Sequence, residues 1–402
     1  MAAQPRQGLP AEGCGVSAAL TPGNEAAIAA LVAEAARHAE PIAVEGAGTK
    51  RAMLRPVQAA RTISTRALSG ITLHRPTELI ISARAGTPLA EIEAALAAKG
   101  QMLIAETPHL TTLMGVEAAP TIGGAVAANL SGPRRISGGA MRDHVMGIRF
   151  VNGSGEVLRS GGRVLKNVTG LDLCKLLAGS HGTLGIITEV TLKVLPAPEA
   201  SATLSLPVPD LETGRRVLSA GLGSPFGVTG AALLADAPRA LLRIEDFSDS
   251  VAYRSEKLRE TLAEFGDAEI VPDAESRALW LAVREATPLG AAPSDAIWRV
   301  SVKPTEGPRV AAELRAAFDA KLLLDWGGGL IWIAGPATEG AHAAVMHAAD
   351  RGTFTLFRAP DALRAAVAVI PPEPPPLAAI ARRVKAALDP AGILNPGRMR
   401  AA

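Results

Sequence analysis

Three short segments rich in glycine and other small residues lie between residues 45 and 188, and they constrain the fold more than any other feature of the sequence. The first is the loop Glu45-Gly46-Ala47-Gly48-Thr49-Lys50, which follows a strand predicted at Pro41–Val44. Small side chains let backbone N–H groups turn inward and approach a diphosphate closely. Taken alone, the loop is explained more simply as an ordinary tight turn. It matches neither a Rossmann fingerprint nor a Walker A sequence, and a Gly-x-Gly-x-x-Ala at 13–18 has no strand before it.

The second segment predicts a short helix of small residues. Its sequence is Thr121-Ile122-Gly123-Gly124-Ala125-Val126-Ala127-Ala128-Asn129. The N–H groups at its start can face an anion, and its backbone can lie against a flat ligand. A close helix-packing surface explains the same composition equally well.

The third segment runs from Lys166 to Asp172 and from Gly179 to Thr188. Its glycines predict a backbone that approaches another group closely, and Asp172 predicts the start of a short helix. The neighbouring Ser180 and His181 are not expected to act as nucleophile and base, because adjacent residues rarely hydrogen-bond in that way and no Gly-x-Ser-x-Gly elbow is present.

The order of predicted elements indicates an α+β chain. Helix and strand alternate up to residue 100, which indicates an α/β region, and alternating strands with helices over 200–370 indicate an antiparallel sheet. A proline-rich stretch at 371–376 and a helix at 379–388 follow. The predicted domains are 1–198, 199–370 and 371–402, with the first boundary placed at Pro196 and Pro198.

Composition excludes several functional classes. The 41 basic and 39 acidic residues nearly balance, and aromatic residues make up only 3%, so the sequence predicts no nucleic-acid partner. Two cysteines, Cys14 and Cys174, are too few for an iron–sulfur cluster or a zinc site, and a reduced cytoplasmic chain is a simpler interpretation than a single disulfide. The N-terminus lacks an apolar signal region, and the apolar run 322–334 is too short to span a bilayer. The seven histidines are scattered, so no metal site is predicted.

Taken in order, the three segments and the C-terminal Asp389–Gly397 resemble the FAD-binding domain of the vanillyl-alcohol-oxidase family, also called the PCMH fold. The resemblance covers about residues 40–196 and 376–400 and implies two α/β subdomains with an antiparallel cap. It implies that the first loop wraps the FAD pyrophosphate, that Pro108 lies near the flavin edge, that Ile187 contacts the adenine side and that Asn395 returns to the flavin. It further implies that the ribityl and pyrophosphate path is lined by Thr121, Gly123, Gly124, Ala127 and Asn129. Because the first loop has no His or Cys, we expect non-covalent FAD.

Four further motifs resemble the E subunits of bacterial glycolate oxidases: Arg75–Leu79, Gly86–Leu89, Gly132–Arg135 and Asp325–Gly328. This resemblance implies oxidation of glycolate, a small 2-hydroxy acid, to glyoxylate. It also implies as partners a sister FAD-containing catalytic subunit and a separate iron–sulfur subunit, through which the chain could associate with the inner face of a membrane. Two alternatives stay open: a stand-alone FAD-dependent hydroxy-acid or alditol oxidase, and a non-catalytic assembly subunit.

Substrate-binding residues are less well marked. A glycolate site needs a cation for the carboxylate and a base for the hydroxyl proton. On a strand predicted at Ala296–Lys303, Arg299 is the candidate cation, although a solvated strand face is the simpler interpretation of its position. His109 is a candidate base only because it follows Pro108.

Overall fold

The computed structural model describes residues 19–162 and 171–401. Cys14, the sequence at 13–18 and the part of the third segment at 166–170 lie outside the described residues. None of the helices in these two ranges has the length and the apolar composition that a transmembrane span requires.

The N-terminal part contains a two-stranded parallel sheet (β1, β2) and a six-stranded antiparallel sheet in the order β3-β4-β8-β6-β7, with β5 pairing to β8. The strands are β1 (Ile42–Glu45), β2 (Arg61–Ser64), β3 (Ile71–Arg75), β4 (Ile80–Arg84), β5 (Gln101–Leu103), β6 (Val145–Val151), β7 (Val157–Gly161) and β8 (Ile186–Pro196). The helices are α1 (Glu25–Arg37), α2 (Leu89–Ala97), α3 (Thr111–Met114), α4 (Ile122–Ala127), α5 (Arg135–Gly138), α6 (Met141–His144) and α7 (Leu173–Leu177).

Several of these elements follow directly from local sequence. The side chain of Asn24 accepts the N–H of Ala27 at 2.8 Å and so caps α1, whose Ile28 and Val32 are buried. Asp172 caps α7 in the same way. The hairpin predicted on either side of residues 152–155 is confirmed as β6 and β7.

The second part is an eight-stranded antiparallel sheet in the order β12-β9-β11-β10-β14-β15-β13-β16. Its strands are β9 (Ala200–Pro207), β10 (Val228–Leu234), β11 (Arg239–Asp246), β12 (Glu269–Val271), β13 (Ala296–Ser301), β14 (Lys321–Asp325), β15 (Leu330–Gly335) and β16 (Thr353–Arg358). Its helices are α8 (Leu211–Gly223), α9 (Ser248–Thr261), α10 (Asp273–Arg284), α11 (Gly307–Ala317), α12 (Glu339–Ala348) and α13 (Asp361–Ala366).

The architecture confirms the predicted α+β class with an antiparallel cap. The chain passes from one large sheet to the other between Pro196 and Ala200, close to the predicted boundary, although the domain limits themselves stay a prediction. The core of the second part also takes in buried side chains from the first part, among them Met53, Leu54 and Leu113. The two parts therefore pack through a shared apolar interface.

The C-terminal segment returns to the first sheet. Helix α14 (Pro375–Leu388) begins four residues before the predicted start, because Pro375 and Pro376 occupy its first turn, where proline needs no N–H acceptor. The following tail runs beside β1. Ile42 donates its N–H to the carbonyl of Ile393 at 2.8 Å, and Asn395 donates its own to the carbonyl of Ile42 at 2.9 Å.

Candidate functional site

A cavity of about 640 Å³ opens where the loop after β1, helix α4, the turn before β8 and the C-terminal tail meet. Twelve of the residues predicted to bind the cofactor line this cavity: Glu45, Gly46, Ala47, Gly48, Thr49, Lys50, Thr121, Gly123, Gly124, Ala127, Ile187 and Asn395. Residues that the sequence did not mark also line it, among them His181, Asp361, Arg364 and Arg398. Segments more than 300 residues apart thus contribute to one cavity.

The loop after β1 offers backbone donors to this cavity. Within the described part of the chain, the N–H groups of Ala47, Gly48 and Thr49 donate to no protein acceptor. Gly48 has a φ of +74°, which favours glycine, and a Cβ at Gly46 would overlap the Oγ1 of Thr121. The loop is therefore held close to α4 with its donors unused, as an anion site requires.

Positive charge is in excess around the same loop. Burial lowers the pKa of Lys50 to about 8, and its Nζ has only a long contact of 3.4 Å with the Thr49 hydroxyl. Burial, together with the charge of Arg364, lowers the pKa of Arg398 to about 10. Arg398 donates to the carbonyl of Lys50 at 2.6 Å. Two cations with lowered pKa values and no carboxylate hydrogen-bonded to them fit a ligand with negative charge.

Two other cations at the cavity are already paired. Arg51 forms two hydrogen bonds with Glu45, at 2.6 and 2.5 Å, and Arg364 pairs with Asp361. Arg364 also donates to the carbonyl of Leu54 at 2.7 Å, so a residue of the cap fixes the chain that follows the loop. These pairs leave the charges of Lys50 and Arg398 for a ligand.

Of the two interpretations of the small residues in α4, the structure supports close packing, because the N–H groups at the start of the helix have protein acceptors. Ile122 donates to the carbonyl of Thr87 at 3.0 Å, Gly123 donates to that of Ala85 at 2.9 Å, and Gly124 donates to the hydroxyl of Thr121 at 3.4 Å. A Cβ at Gly123 would also meet Ala85. The helix therefore packs closely against β4, and its contribution to the cavity is a surface of small side chains.

Asn395 connects three parts of the cavity wall. Its Oδ1 accepts the N–H of Val44 at 2.7 Å, and its Nδ2 donates to the carbonyl of His181 at 2.8 Å. It has a φ of +43°, a conformation that asparagine tolerates better than most residues. Burial, followed by the charges of Arg398 and Lys50, lowers the pKa of His181 to about 3, so its imidazole is neutral at pH 7.

Four predicted residues, Pro108, His109, Asn129 and Arg299, do not line this cavity. Pro108 is buried elsewhere, and Asn129 uses its side chain to accept the N–H of Arg142 at 3.0 Å. His109 lies in a separate surface groove, where its Nε2 is 3.1 Å from a carboxylate oxygen of Glu93. The structure does not bring the candidate base together with the candidate cation.

Arg299 is not on the solvated strand face that was the simpler interpretation. Strand β13 ends at Ser301, and the half-buried Arg299 lies against aromatic rings of the cap. Its guanidinium carbon is 4.8 Å from the centroid of the Trp332 ring, 5.6 Å from that of Trp326 and 5.8 Å from that of Phe357. Burial, followed by the charge of Arg135, lowers its pKa to about 10.

Sequence reasoning missed the cations that the cap and tail bring to the cavity. Nothing in the local sequence distinguishes Arg364 and Arg398 from surface arginines. Arg398 comes just after Asn395-Pro396-Gly397, so the tail motif was the available signal for it. No group of three or more His, Cys, Asp or Glu side chains suited to a metal ion occurs at 19–162 or 171–401.

Comparisons with known proteins identify the family. A model described as "FAD binding domain" matches residues 16–161, and one described as "FAD linked oxidases, C-terminal domain" matches residues 373–399. The chain is 36% identical over 362 residues to glycolate oxidase subunit GlcE of Escherichia coli (strain K12). The aligned residues make up 90% of this chain and 93% of GlcE. The chain is also 36% identical over 128 residues to glycolate oxidase subunit GlcD of Bacillus subtilis (strain 168), and these residues make up 32% of this chain and 27% of GlcD.

Among solved structures, p-cresol methylhydroxylase with substrate bound matches with a TM-score of 0.72 at 14% identity, over 95% of this chain and 88% of that one. At that identity the match shows a shared fold and no more. The near-complete match to GlcE carries the assignment: the chain is an FAD-linked oxidoreductase and belongs to the GlcE family of glycolate oxidase subunits.

Proposed function

We propose that this chain is the FAD-carrying subunit of a multi-subunit glycolate oxidase, which oxidises glycolate to glyoxylate and passes the electrons to an iron–sulfur subunit. The observation that carries this proposal is the similarity to GlcE along nearly the whole chain. The cavity supports it independently, because unpaired positive groups and free backbone donors face a space of about 640 Å³.

The residues of the cavity fit FAD. The free N–H groups of Ala47, Gly48 and Thr49, with Lys50, would hold the diphosphate, while Arg398 fixes the carbonyls of that loop. The small side chains of α4 would let the ligand lie against the helix backbone. When bound, FAD supplies a hydride acceptor that can release electrons one at a time.

We further propose that FAD is held non-covalently. The loop after β1 carries no nucleophilic side chain other than Thr49 and Lys50, and the side chain of Cys174 is buried. The structure does add His181 to the cavity wall, so the test is direct: acid denaturation of the yellow protein should release all flavin into the supernatant. Flavin that stays with the precipitate would contradict the proposal, and His181 would be the first residue to examine.

Partner subunits are proposed because the electrons need an acceptor. The sequence has two cysteines, whereas an iron–sulfur cluster usually needs four. A sister FAD subunit and an iron–sulfur subunit would complete the path, and any membrane contact would be made through them.

The experiment that tests the function is anaerobic addition of glycolate to the chain alone and to the chain assembled with its two partner subunits. Bleaching of the flavin absorbance in the assembled complex, with none in the chain alone, is the expected result. Bleaching of the chain alone would instead support a stand-alone hydroxy-acid oxidase. A chain that stays colourless after FAD is added, in a complex that contains only the flavin of the sister subunit, would support a non-catalytic assembly subunit.

A further inference from the structure

Two arginines from different parts of the chain lie against one tryptophan ring at the junction of the two large sheets. The guanidinium carbon of Arg135, at the start of α5, is 4.5 Å from the centroid of the Trp326 ring. That of Arg299, on β13, is 5.6 Å from the same centroid. The Nε1 of Trp326 donates to the carbonyl of Gly132 at 3.1 Å, so the ring is fixed to the loop that precedes α5.

Neither arginine has a partner for its charge. Among residues 19–162 and 171–401, the side chains of Arg135 and Arg299 form no hydrogen bond and no ion pair, and the buried Nε of Arg299 has no acceptor. The neighbouring arginines differ in this respect: Arg243 contacts Glu106 at 2.6 Å, and Arg134 contacts Glu245 at 2.7 Å. An unsatisfied buried donor on a charged group costs free energy, so an arginine held in this way fits a site that an anion occupies.

Two carboxyl groups lie near the arginines, and neither forms an ion pair with them. Asp143, whose charge acts on Arg135, contacts Lys175 at 3.5 Å instead. Asp325 precedes Trp326 and is buried, and it accepts the N–H of Trp326 at 2.7 Å. Burial raises its pKa to about 7, so the group is only partly ionised at neutral pH. The pair is also accessible, because Arg135 is exposed and both Trp326 and Arg299 are half-buried.

We propose that Arg135, Arg299 and Trp326 form a binding site for the carboxylate of a small hydroxy acid or of its oxo-acid product. This inference rests on the proposed function and extends it by assigning the substrate class to named residues. A guanidinium presents a planar fork of donors that matches a carboxylate, and the aromatic faces hold that fork in place. Because one arginine comes from each part of the chain, the carboxylate would bridge the FAD-binding part and the cap.

The test uses the full FAD-loaded chain and oxalate, a small carboxylate that cannot be oxidised as a hydroxy acid is. Binding is measured by calorimetry and by tryptophan fluorescence, with uncharged glycolamide as the neutral probe. We expect oxalate to bind and glycolamide not to bind. Arg135→Met and Arg299→Met should each weaken oxalate binding by about tenfold to a hundredfold, as loss of a hydrogen bond to a charged group predicts. Trp326→Phe should remove the fluorescence change.

The matched control is Arg142→Met, which removes an exposed arginine from the neighbouring helix α6 and should leave oxalate binding unchanged. Flavin absorbance reports that each variant is folded and loaded. Absence of oxalate binding by the unaltered chain would overturn the inference. So would an oxalate affinity in both arginine variants equal to that of the unaltered chain, with normal flavin absorbance. Oxalate binding that depends on both arginines, in a complex that does not oxidise glycolate, would instead count against the proposed function alone. Retention of oxalate affinity in both variants together with loss of assembly with the partner subunits would show that the arginines hold an acidic segment of a partner.

Discussion

At the scale of single residues, Lys50 best shows how the cavity is prepared for an anion. A lysine without a carboxylate partner loses solvation as it is buried, which is why its pKa falls to about 8. Binding of a diphosphate reverses this effect, because negative charge nearby favours the protonated amine. Burial of the amine therefore costs free energy that a bound anion would offset.

Replacing Lys50 with Met should weaken FAD binding by about tenfold to a hundredfold, since one charge-assisted interaction with a phosphate is lost. The pH dependence should change as well. In the unaltered chain the dissociation constant should rise above pH 8, where the free lysine loses its proton, and in the variant it should stay flat. Titration of the apoprotein with FAD, followed by quenching of flavin fluorescence at pH 7 and pH 9, measures both effects. Lys99→Met, at an exposed position, is the control. Equal affinities for the variant and the unaltered chain would contradict the role of Lys50.

Gly46 makes a second prediction at this scale. A Cβ at this position would overlap the Oγ1 of Thr121, so Gly46→Ala must push the loop away from α4. We expect weaker FAD binding and a lower melting temperature, measured by flavin titration and by calorimetry. Gly23→Ala is the control, because a Cβ there meets no atom within 4 Å. If both alanine variants bind FAD equally well, the close approach of loop and helix is not needed.

At the scale of elements, local sequence predicted those with a cap or a turn signal and failed where burial hides the pattern. Helices α1 and α7 and the hairpin β6–β7 have such signals and are confirmed. Strands β14 and β15 were missed, because both are almost fully buried and lack alternation of polar and apolar residues. They read as one interrupted apolar run, in which Asp325 and the glycines in fact form the turn of a hairpin.

The candidate site divides in the same way. The loop after β1 and helix α4 could be predicted, because close approach to a ligand or to another segment requires runs of small residues. Arg364 and Arg398 could not be predicted, because their position depends on how the cap and tail fold back over the loop. Arg135 belongs to the motif Gly132–Arg135. The ring that it contacts, that of Trp326, is distant in sequence and comes near it only in the folded chain.

The C-terminal tail yields a prediction at the element scale. Asn395 holds β1 through Val44 and the turn before β8 through His181, so Asn395→Ala should release three segments at once. Asn395→Asp keeps the acceptor for Val44 but loses the donor to His181, and its effect should be smaller. We expect FAD affinity to fall in the order unaltered chain, Asp variant, Ala variant, as measured by flavin titration with hydrogen exchange of the Val44 amide as the structural readout. An equal effect of the two variants would show that the contact with Val44 adds nothing.

At the scale of the whole molecule, a buried ion cluster joins the FAD-binding part to the cap. Glu106 accepts two hydrogen bonds from Arg243 on β11, at 2.6 and 2.9 Å, and it also accepts the N–H of Arg134 at 2.8 Å. Arg134 in turn pairs with Glu245 of the cap at 2.7 Å. Together with the apolar residues that the two parts share, this cluster fixes the junction at which Arg135, Arg299 and Trp326 lie.

Glu106→Gln tests this junction. Although burial opposes ionisation, the charge and hydrogen bonds of Arg243 and the nearby Arg134 lower the pKa of Glu106 to about 2. The charge of Glu106 therefore stabilises the fold above its unfolded pKa of about 4.5, and that contribution is lost as the pH falls toward 2. At pH 7 the variant should lose about 3 kcal/mol of unfolding free energy, the low end for a broken buried pair, because Glu245 still contacts Arg243. Denaturant unfolding should show that the difference in unfolding free energy between the variant and the unaltered chain shrinks from pH 6 to pH 3.

The control is Glu78→Gln, which breaks an exposed pair with Arg75 and should cost less than about 1 kcal/mol at any pH. A Glu106 variant that behaves like this control would mean that apolar packing alone holds the cap on the FAD-binding part.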